Sequence, residues 1–185
     1  MLMKCAPAVT GLAVVLLLVA CGSDDENGGV RHDTGPTADV IDPCAACKAW
    51  QVCKNGACDF DVTSMWNIVA LNGEVTEKNP VGESWDALGG LPDPFLCLTV
   101  ASARKCTTAA QDTLKPNWNQ MLHTNVGGGS LIGPAIKVEY YDDDLTTPDK
   151  ICELSATLKL DFLDAGAFNL NCQQGMANVQ LKYVK

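Results

Sequence analysis

Histidine and positive charge are scarce in this sequence. It contains two histidines, and its 13 lysines and arginines are outnumbered by 22 aspartates and glutamates, which gives a formal net charge of −9. Such an acidic chain repels a phosphate backbone, so nucleic acid is excluded as a partner. Helical patterns of useful length are also missing, because no long stretch repeats its apolar residues at helical spacing. The folded part is therefore expected to be built from something other than long helices.

The motifs of common enzymes are missing as well. His123 is the only histidine beyond the N-terminal segment, and its neighbours predict the end of a strand rather than the surroundings of a general base. Ser130 follows three glycines, but no Gly-x-Ser-x-Gly elbow surrounds it. The stretch from Gly127 to Gly133 fits neither a phosphate-binding loop nor a dinucleotide fingerprint. We therefore expect a protein that is not an enzyme.

The N-terminal residues predict export. Lys4 supplies a positive charge, and Gly11–Ala20 is a continuous apolar run that is too short to span a membrane comfortably. Its end, residues 18–21 (LVAC), resembles the bacterial lipobox, whose cysteine is acylated and becomes the first residue of the mature protein. The resemblance implies a signal peptide over residues 1–20 and lipid attachment at Cys21, which would anchor the protein in the cell envelope. An ordinary secretion signal with a chance cysteine is the alternative.

The segment that follows, residues 21–43, predicts a flexible tether. It is polar, contains scattered glycine and proline, and shows no apolar period. Gly22 and Ser23 separate the predicted acylation site from the first acidic residues. By resemblance to lipoprotein sorting in Gram-negative cells, this arrangement favours the outer membrane.

Ten cysteines are too many for a reducing cytosol unless most of them bind metal. Four lie within residues 44–59, at Cys44, Cys47, Cys53 and Cys58. Their spacing is compatible with a two-disulfide knot or a zinc site; it lacks the second Cys-x-x-Cys of a zinc ribbon, so disulfides are favoured and their pairing stays open. The pattern is similar to the cysteine-rich stalk modules of some bacterial surface lipoproteins, and it predicts a spacer or, alternatively, a protein-contact module.

Residues 63–185 predict an all-β domain, an antiparallel β-sandwich of eight short strands separated by turn signals. The clearest strand is 151–160, because apolar residues alternate with polar ones from Cys152 to Phe162. The candidate strands are residues 65–73, 95–101, 104–110, 118–125, 135–141, 151–160, 167–172 and 178–184.

The cysteines of this domain suggest two disulfides. Cys97 and Cys106 are equidistant from a turn centred at residues 101–102, so they are expected to face each other across a hairpin. Cys152 and Cys172 each fall on the inward phase of a predicted strand, and we expect them to pair as well.

Two acidic turns lie within the predicted sandwich. Strand 135–141 leads into four carboxylates within eight residues, while Asp86 and Asp93 flank a turn upstream. Like charges this close repel one another unless a cation neutralises them or water screens them. If the fold brings the two turns together, their hard oxygen donors suit Ca²⁺. An EF-hand is excluded, because Thr147 stands where its loop needs glycine and the flanks are strands.

Several sequence motifs follow one another in a fixed order along this domain. They are residues 68–73 (IVALNG), 85–95 (WDALGGLPDPF), 112–119 (DTLKPNWN), 141–144 (YDDD) and 149–153 (DKICE). Together they resemble the first strand, first loop, Thr-Leu-x-Pro-x-Trp-Asn segment and third loop of the C2 domain, the calcium-dependent phospholipid-binding module. The resemblance covers about residues 64–185. One strand precedes the first loop and three follow the third, which implies the connectivity called type II.

The resemblance implies a calcium site and a lipid-binding role. The implied calcium ligands are Asp86, Asp93, Asp142, Asp144 and Asp149. Bound Ca²⁺ would connect the domain to phospholipid or another anionic membrane surface, and apolar side chains at the loop tips would enter the bilayer. These implied membrane contacts are Leu88, Leu91 and Leu145. The alternative function is a structural or protein–protein interaction module in which Ca²⁺ only stiffens the loops or is absent.

Overall fold

The computed structural model describes residues 42–86, 89–144 and 147–185. The predicted signal peptide, the acylation site Cys21 and nearly all of the tether lie outside these residues, as do Leu88 and Leu145. Within the described part of the chain, no helix is both long enough and apolar enough to cross a membrane.

The described chain is built mainly of strands. In order, its elements are β1 (Gln51–Lys54), β2 (Ala57–Phe60), β3 (Met65–Val75), β4 (Pro94–Val100), β5 (Ala103–Cys106), β6 (Asn117–Gly127), α1 (Gly128–Leu131), β7 (Ala135–Asp142), β8 (Asp149–Thr157), α2 (Leu160–Ala165), β9 (Ala167–Cys172) and β10 (Gly175–Tyr183). β1 and β2 form a separate hairpin. The other eight strands form two four-stranded sheets, ordered β6-β3-β10-β9 and β5-β4-β7-β8.

Both sheets are antiparallel and enclose one apolar core. Alternating residues of the central strands point inward and are almost fully buried, among them Ile68, Leu96, Val138, Tyr140 and Val179. The predicted eight-stranded antiparallel sandwich is confirmed. One sandwich strand, β3, precedes the first acidic loop and three strands follow the last one, as the sequence predicted.

Strand boundaries differ from the prediction mainly after residue 157. The expected strand 151–160 ends at Thr157, and Leu160–Ala165 form the short helix α2. The helix lies where the chain crosses from β8 in one sheet to β9 in the other, and it ends at Gly166, whose left-handed φ of 64° suits a helix C-terminus. Phe162 is consequently 37% exposed instead of facing the core. The strand expected at 104–110 is also shorter and ends at Cys106.

Four disulfides connect the described cysteines. Their partners are Cys44–Cys53, Cys47–Cys58, Cys97–Cys106 and Cys152–Cys172, with Cα atoms 5.6, 5.3, 4.0 and 6.1 Å apart. The hairpin pair lies directly opposite in the β4–β5 register. The bond between Cys152 and Cys172 joins β8 to β9, which belong to different sheets.

The disulfide-linked hairpin β1–β2 packs against the sandwich. Trp50 is only 7% exposed, and its ring lies 6.2 Å from that of Trp66 in the sandwich core. A close fit requires Gly128, because a Cβ there would meet the Phe60 ring at 2.6 Å and the Ser64 hydroxyl at 2.5 Å. The cysteine-rich hairpin is therefore attached by apolar contact as well as by the chain, which a freely standing spacer would not need.

We expect the substitution Trp50→Ala to lower the free energy of unfolding by about 3 kcal/mol, because it truncates a buried aromatic side chain. The matched control is Val52→Ala on the same hairpin, where the side chain is 37% exposed and the loss should stay below about 0.5 kcal/mol. Urea unfolding followed by tryptophan fluorescence measures both. Equal, small losses in the two variants would show that the hairpin is not held by this contact.

Candidate metal centre

Three loops meet at one end of the sandwich. The first loop (residues 76–93) joins β3 to β4, the second loop (residues 107–116) joins β5 to β6, and the third loop (residues 143–148) joins β7 to β8. The strands bring them together because Asp142, the last residue of β7, pairs with Pro94 on one side and Asp149 on the other. The predicted convergence of the two acidic turns is therefore present in the structure.

Asp93 connects all three loops through hydrogen bonds. Its backbone N–H donates to the Asp142 carboxylate over 2.6 Å, and its carbonyl accepts from the Asp143 N–H over 3.1 Å. Its own carboxylate accepts the Asp112 N–H over 2.6 Å. These bonds hold the backbones of the three loops against one another around Asp93.

Three carboxylates converge between the first and third loops. Asp86, Asp142 and Asp144 each offer an oxygen, and these oxygens lie within 4.8 Å of one another. Asp142 is completely buried, and its Oδ2 has no hydrogen-bond partner among the described residues. A buried carboxylate oxygen without a partner is costly. Several hard anionic oxygens around one space are what Ca²⁺ prefers, so this donor set fits the ion implied by the sequence.

The pKa values of these acids show how unfavourable the cluster is without a cation. Burial raises the pKa of Asp142 to about 6; the Asp93 N–H opposes this, while repulsion from the neighbouring carboxylates adds to it. Burial also raises the pKa of Asp86, helped by the charges of Asp93 and Asp112. The pKa of Asp144 is raised by burial and by several nearby acids, with Asp149 the largest charge contribution. A bound cation would favour the charged form of each group.

Asp93, Asp149 and Leu91 are the other predicted loop residues that the structure describes. Asp93 is beside the cluster, with one carboxylate oxygen engaged by the second loop. Asp149 begins β8 opposite Asp142 but is not among the three converging carboxylates. Leu91 is 40% exposed in the first loop, whereas Leu88 and Leu145 lie outside the described residues.

Two residues at this end were missed by the sequence reasoning. Asp112 contributes charge from the second loop and adopts a left-handed φ of 46°, which an aspartate tolerates better than most residues. The sequence contained an indication of its position, since Asp112 is the first residue of the DTLKPNWN segment that resembles part of a C2 domain. Val81, in the first loop, is 76% exposed. A lone valine between Pro80 and Gly82 belongs to no apolar pattern, so the sequence did not mark it.

His123 and Ser130, the two residues weighed above as possible catalytic groups, lie on β6 and α1 and not in the acidic loops. His123 is buried in β6, and its Nε2 lies 3.1 Å from the Leu98 carbonyl oxygen of the opposite sheet. Burial lowers the pKa of His123. Ser130 is half-buried in the short helix α1.

The substitution Asp142→Asn should stabilise the metal-free protein at pH 7. The folded-state pKa of Asp142, about 6, exceeds the ordinary value of 3.8, so the charged group destabilises the fold above about pH 6 and ceases to do so below about pH 4. Because one pKa unit corresponds to about 1.4 kcal/mol, a gain of about 1–3 kcal/mol is expected. Thermal unfolding in chelator at pH 7 and pH 5 measures it, and the gain should shrink at the lower pH.

The exposed neighbour Asp143 supplies the matched control, since Asp143→Asn changes the net charge equally without altering a buried group. Its effect should stay within about 0.5 kcal/mol at either pH. If Asp142→Asn destabilises the chelated protein, the buried charge is not the unfavourable group that its surroundings indicate.

Comparison with known proteins places this architecture in a family. A family model described as "C2 domain" matches residues 73–171, which is more than half of the chain. A comparison with curated proteins found no match. Three similar solved structures are of extended synaptotagmins, and at their identities the likeness shows the fold alone.

The first C2 domain of a plant extended synaptotagmin 1 is 18% identical, with a TM-score of 0.49, over 66% of this chain and 95% of that one. The two C2 domains of extended synaptotagmin 2 are 14% identical, with a TM-score of 0.50, over 71% of this chain and 45% of that one. A longer structure of extended synaptotagmin 2, with its SMP domain and both C2 domains, is 16% identical, with a TM-score of 0.50, over 66% and 27%. The chain thus spans less than half of either extended synaptotagmin 2 structure. With the family match, the sandwich and the three converging loops together, the chain belongs to the C2 domain family.

Proposed function

We propose that this protein is an exported, lipid-anchored lipoprotein whose C2 domain binds Ca²⁺ and, through it, phospholipid or another anionic surface. C2 domains in general are calcium- and phospholipid-binding modules, which supports the coarse assignment. The proposal that this chain itself binds Ca²⁺ rests on the cluster of Asp86, Asp142 and Asp144. In this cluster a fully buried carboxylate oxygen has no hydrogen-bond partner among the described residues. A divalent cation is the simplest group that would compensate it.

The residues that would hold Ca²⁺ are the three converging acids. Ca²⁺ takes six to eight oxygen ligands, so neighbouring groups are also needed, and Asp93, Asp149 and Asp112 stand beside the cluster. Bound Ca²⁺ supplies positive charge and coordination positions that an anionic oxygen can occupy. An exported site meets abundant calcium, so an affinity of about 10⁻⁴–10⁻³ M would keep it loaded as a permanent clamp.

Apolar side chains at the same end support contact with a bilayer. Leu91 and Val81 of the first loop are 40% and 76% exposed. Burying such a side chain fully in an apolar medium contributes about 1.5–3 kcal/mol. The implied contacts Leu88 and Leu145 belong to the first and third loops by sequence and remain part of the proposal. The net charge of −9 opposes approach to an anionic surface, which makes the cation necessary for binding.

The proposal assigns no catalytic residue. His123 is buried, its Nε2 lies within hydrogen-bonding distance of a backbone carbonyl, and burial lowers its pKa. Such a histidine is held in place by the fold, and the proposal gives it a structural role.

Vesicle sedimentation tests the lipid-binding role. The chain from residue 22 onward should sediment with vesicles containing an anionic phospholipid at about 1 mM Ca²⁺ and stay in solution with chelator. Leu91→Ser should weaken sedimentation several-fold, because it removes apolar area that enters the bilayer. Met121→Ser, which changes a 49% exposed apolar side chain on strand β6 outside the loops, is the matched control. Sedimentation that is absent, or indifferent to chelator, would favour the alternative of a protein-interaction module.

Labelling cells with a radioactive fatty acid tests the anchor. The protein should incorporate label and fractionate with the outer membrane, and Cys21→Ser should abolish both, because the thiol is the acylated group. Cys5→Ser, a change within the predicted signal peptide, is the control and should leave labelling intact. Label retained by the Cys21→Ser protein would show that the lipobox resemblance is fortuitous.

A further inference from the structure

We propose that the disulfide between Cys152 and Cys172 is a clasp that links the strand bearing Asp149 to the loop bearing Asp86 and so holds the carboxylates in place for a cation. Cys152 and Cys172 are positioning residues in this proposal and touch no ligand. The inference rests on the proposed function, because it concerns the same calcium site.

The two bonded strands lie at the edges of the sandwich. β8 is the last strand of one sheet and β9 is the last strand of the other, so no backbone hydrogen-bond ladder joins them. Besides the chain that crosses through α2, the disulfide is a covalent cross-link between these two strands. Asp149 is the first residue of β8 and lies three residues before Cys152. An acid on an edge strand has backbone support on one side only.

Strand β8 is irregular between Asp149 and Cys152. Tyr140 pairs with Cys152, but the next residue of β7, Tyr141, pairs with Lys150, so Ile151 is an extra residue in the edge strand. A bulge of this kind locally disrupts the ladder and bends the strand. The position of the Asp149 side chain relative to the loops therefore depends on how firmly β8 is held at Cys152.

A continuous path of contacts leads from the disulfide to the first loop, which bears Asp86. Cys172 pairs with Gly175 at the tight turn between β9 and β10. Within that turn the Gln174 carbonyl accepts the N–H of Thr76, the first residue of the first loop, over 2.8 Å. The Thr76 carbonyl in turn accepts the Nε1–H of Trp85 over 2.7 Å. Trp85 is buried and directly precedes Asp86.

The path therefore runs from Asp149 through the disulfide to Asp86 without passing through a metal ion. Each bond along this path restricts the motion of a loop that the cation would otherwise have to order. Because less conformational entropy is then lost on binding, the affinity for the cation is higher. The disulfide Cys97–Cys106 lacks this effect, because it joins strands β4 and β5, which are already paired at those two residues.

Calorimetric titration with CaCl₂ tests the clasp, at a temperature well below the unfolding transitions of all proteins compared. We expect the variant Cys152→Ala/Cys172→Ala to bind Ca²⁺ about tenfold more weakly than the parent, because the loops must be ordered on binding. The matched control Cys97→Ala/Cys106→Ala also loses one disulfide but should stay within about twofold of the parent. Equal effects of the two variants, or none, would overturn the inference.

The substitution Trp85→Phe tests the same path with both disulfides intact, and it carries the test alone if the cysteine variant does not fold. It removes the indole N–H that binds the Thr76 carbonyl and should weaken Ca²⁺ binding about threefold. Combined with the loss of Cys152–Cys172 it should add little, because the path is already broken. Full additivity, or no effect of Trp85→Phe in the intact protein, contradicts a shared path.

Hydrogen exchange in chelator separates this inference from the calcium assignment. Loss of the Cys152–Cys172 bond should speed exchange of the backbone amide of Asp149, relative to the control variant, whether or not calcium binds. Unchanged exchange overturns the clasp. A parent protein that shows the clasp by exchange but takes up no Ca²⁺ would instead overturn the proposed function.

Discussion

Repulsion between carboxylates confined at one end of the sandwich is the constraint on which the rest of this structure depends. The strand pairing of Asp142 with Pro94 and Asp149 fixes where the acids lie, and the fold buries Asp142 completely. Burial and like charge both disfavour the ionised form, which raises the pKa of Asp142 to about 6. The inter-sheet disulfide, the hydrogen bonds of Asp93 and the apolar core hold the loops together against this repulsion.

A second buried acid on the same strand shows what a compensated carboxylate looks like. Glu139 is also buried, but it accepts hydrogen bonds from Lys137, Arg104 and the Tyr141 hydroxyl. Although burial opposes it, these donors lower the pKa of Glu139 to about 2. Asp142 has one backbone donor and an oxygen with no partner among the described residues. The contrast indicates that the loop cluster, unlike the network around Glu139, is not compensated by its own neighbours and is suited to bind a cation.

Local sequence patterns predicted the sandwich, since strand alternation and turn signals are properties of neighbouring residues. The meeting of its acidic loops was implied by the resemblance to C2 domains and not by any local pattern. The same alternation continued through Leu160 and Phe162 and concealed α2, because a six-residue helix and a strand end cannot be separated by period alone. The docking of Trp50 on Trp66 depends on contacts distant in sequence. The path from Cys172 to Asp86 depends on one backbone hydrogen bond and on one bond from the Trp85 indole to a backbone carbonyl, and no local sequence pattern indicates either.

The most direct test of the central claim is calorimetric titration of the chelator-treated chain from residue 22 onward with CaCl₂ at pH 7. Saturable binding with a dissociation constant of about 10⁻⁴–10⁻³ M is predicted. It should disappear when Asp144, one of the three converging acids, is replaced by asparagine. Heats that do not exceed those of dilution up to about 10 mM Ca²⁺, well above the weakest affinities of such modules, would contradict the account.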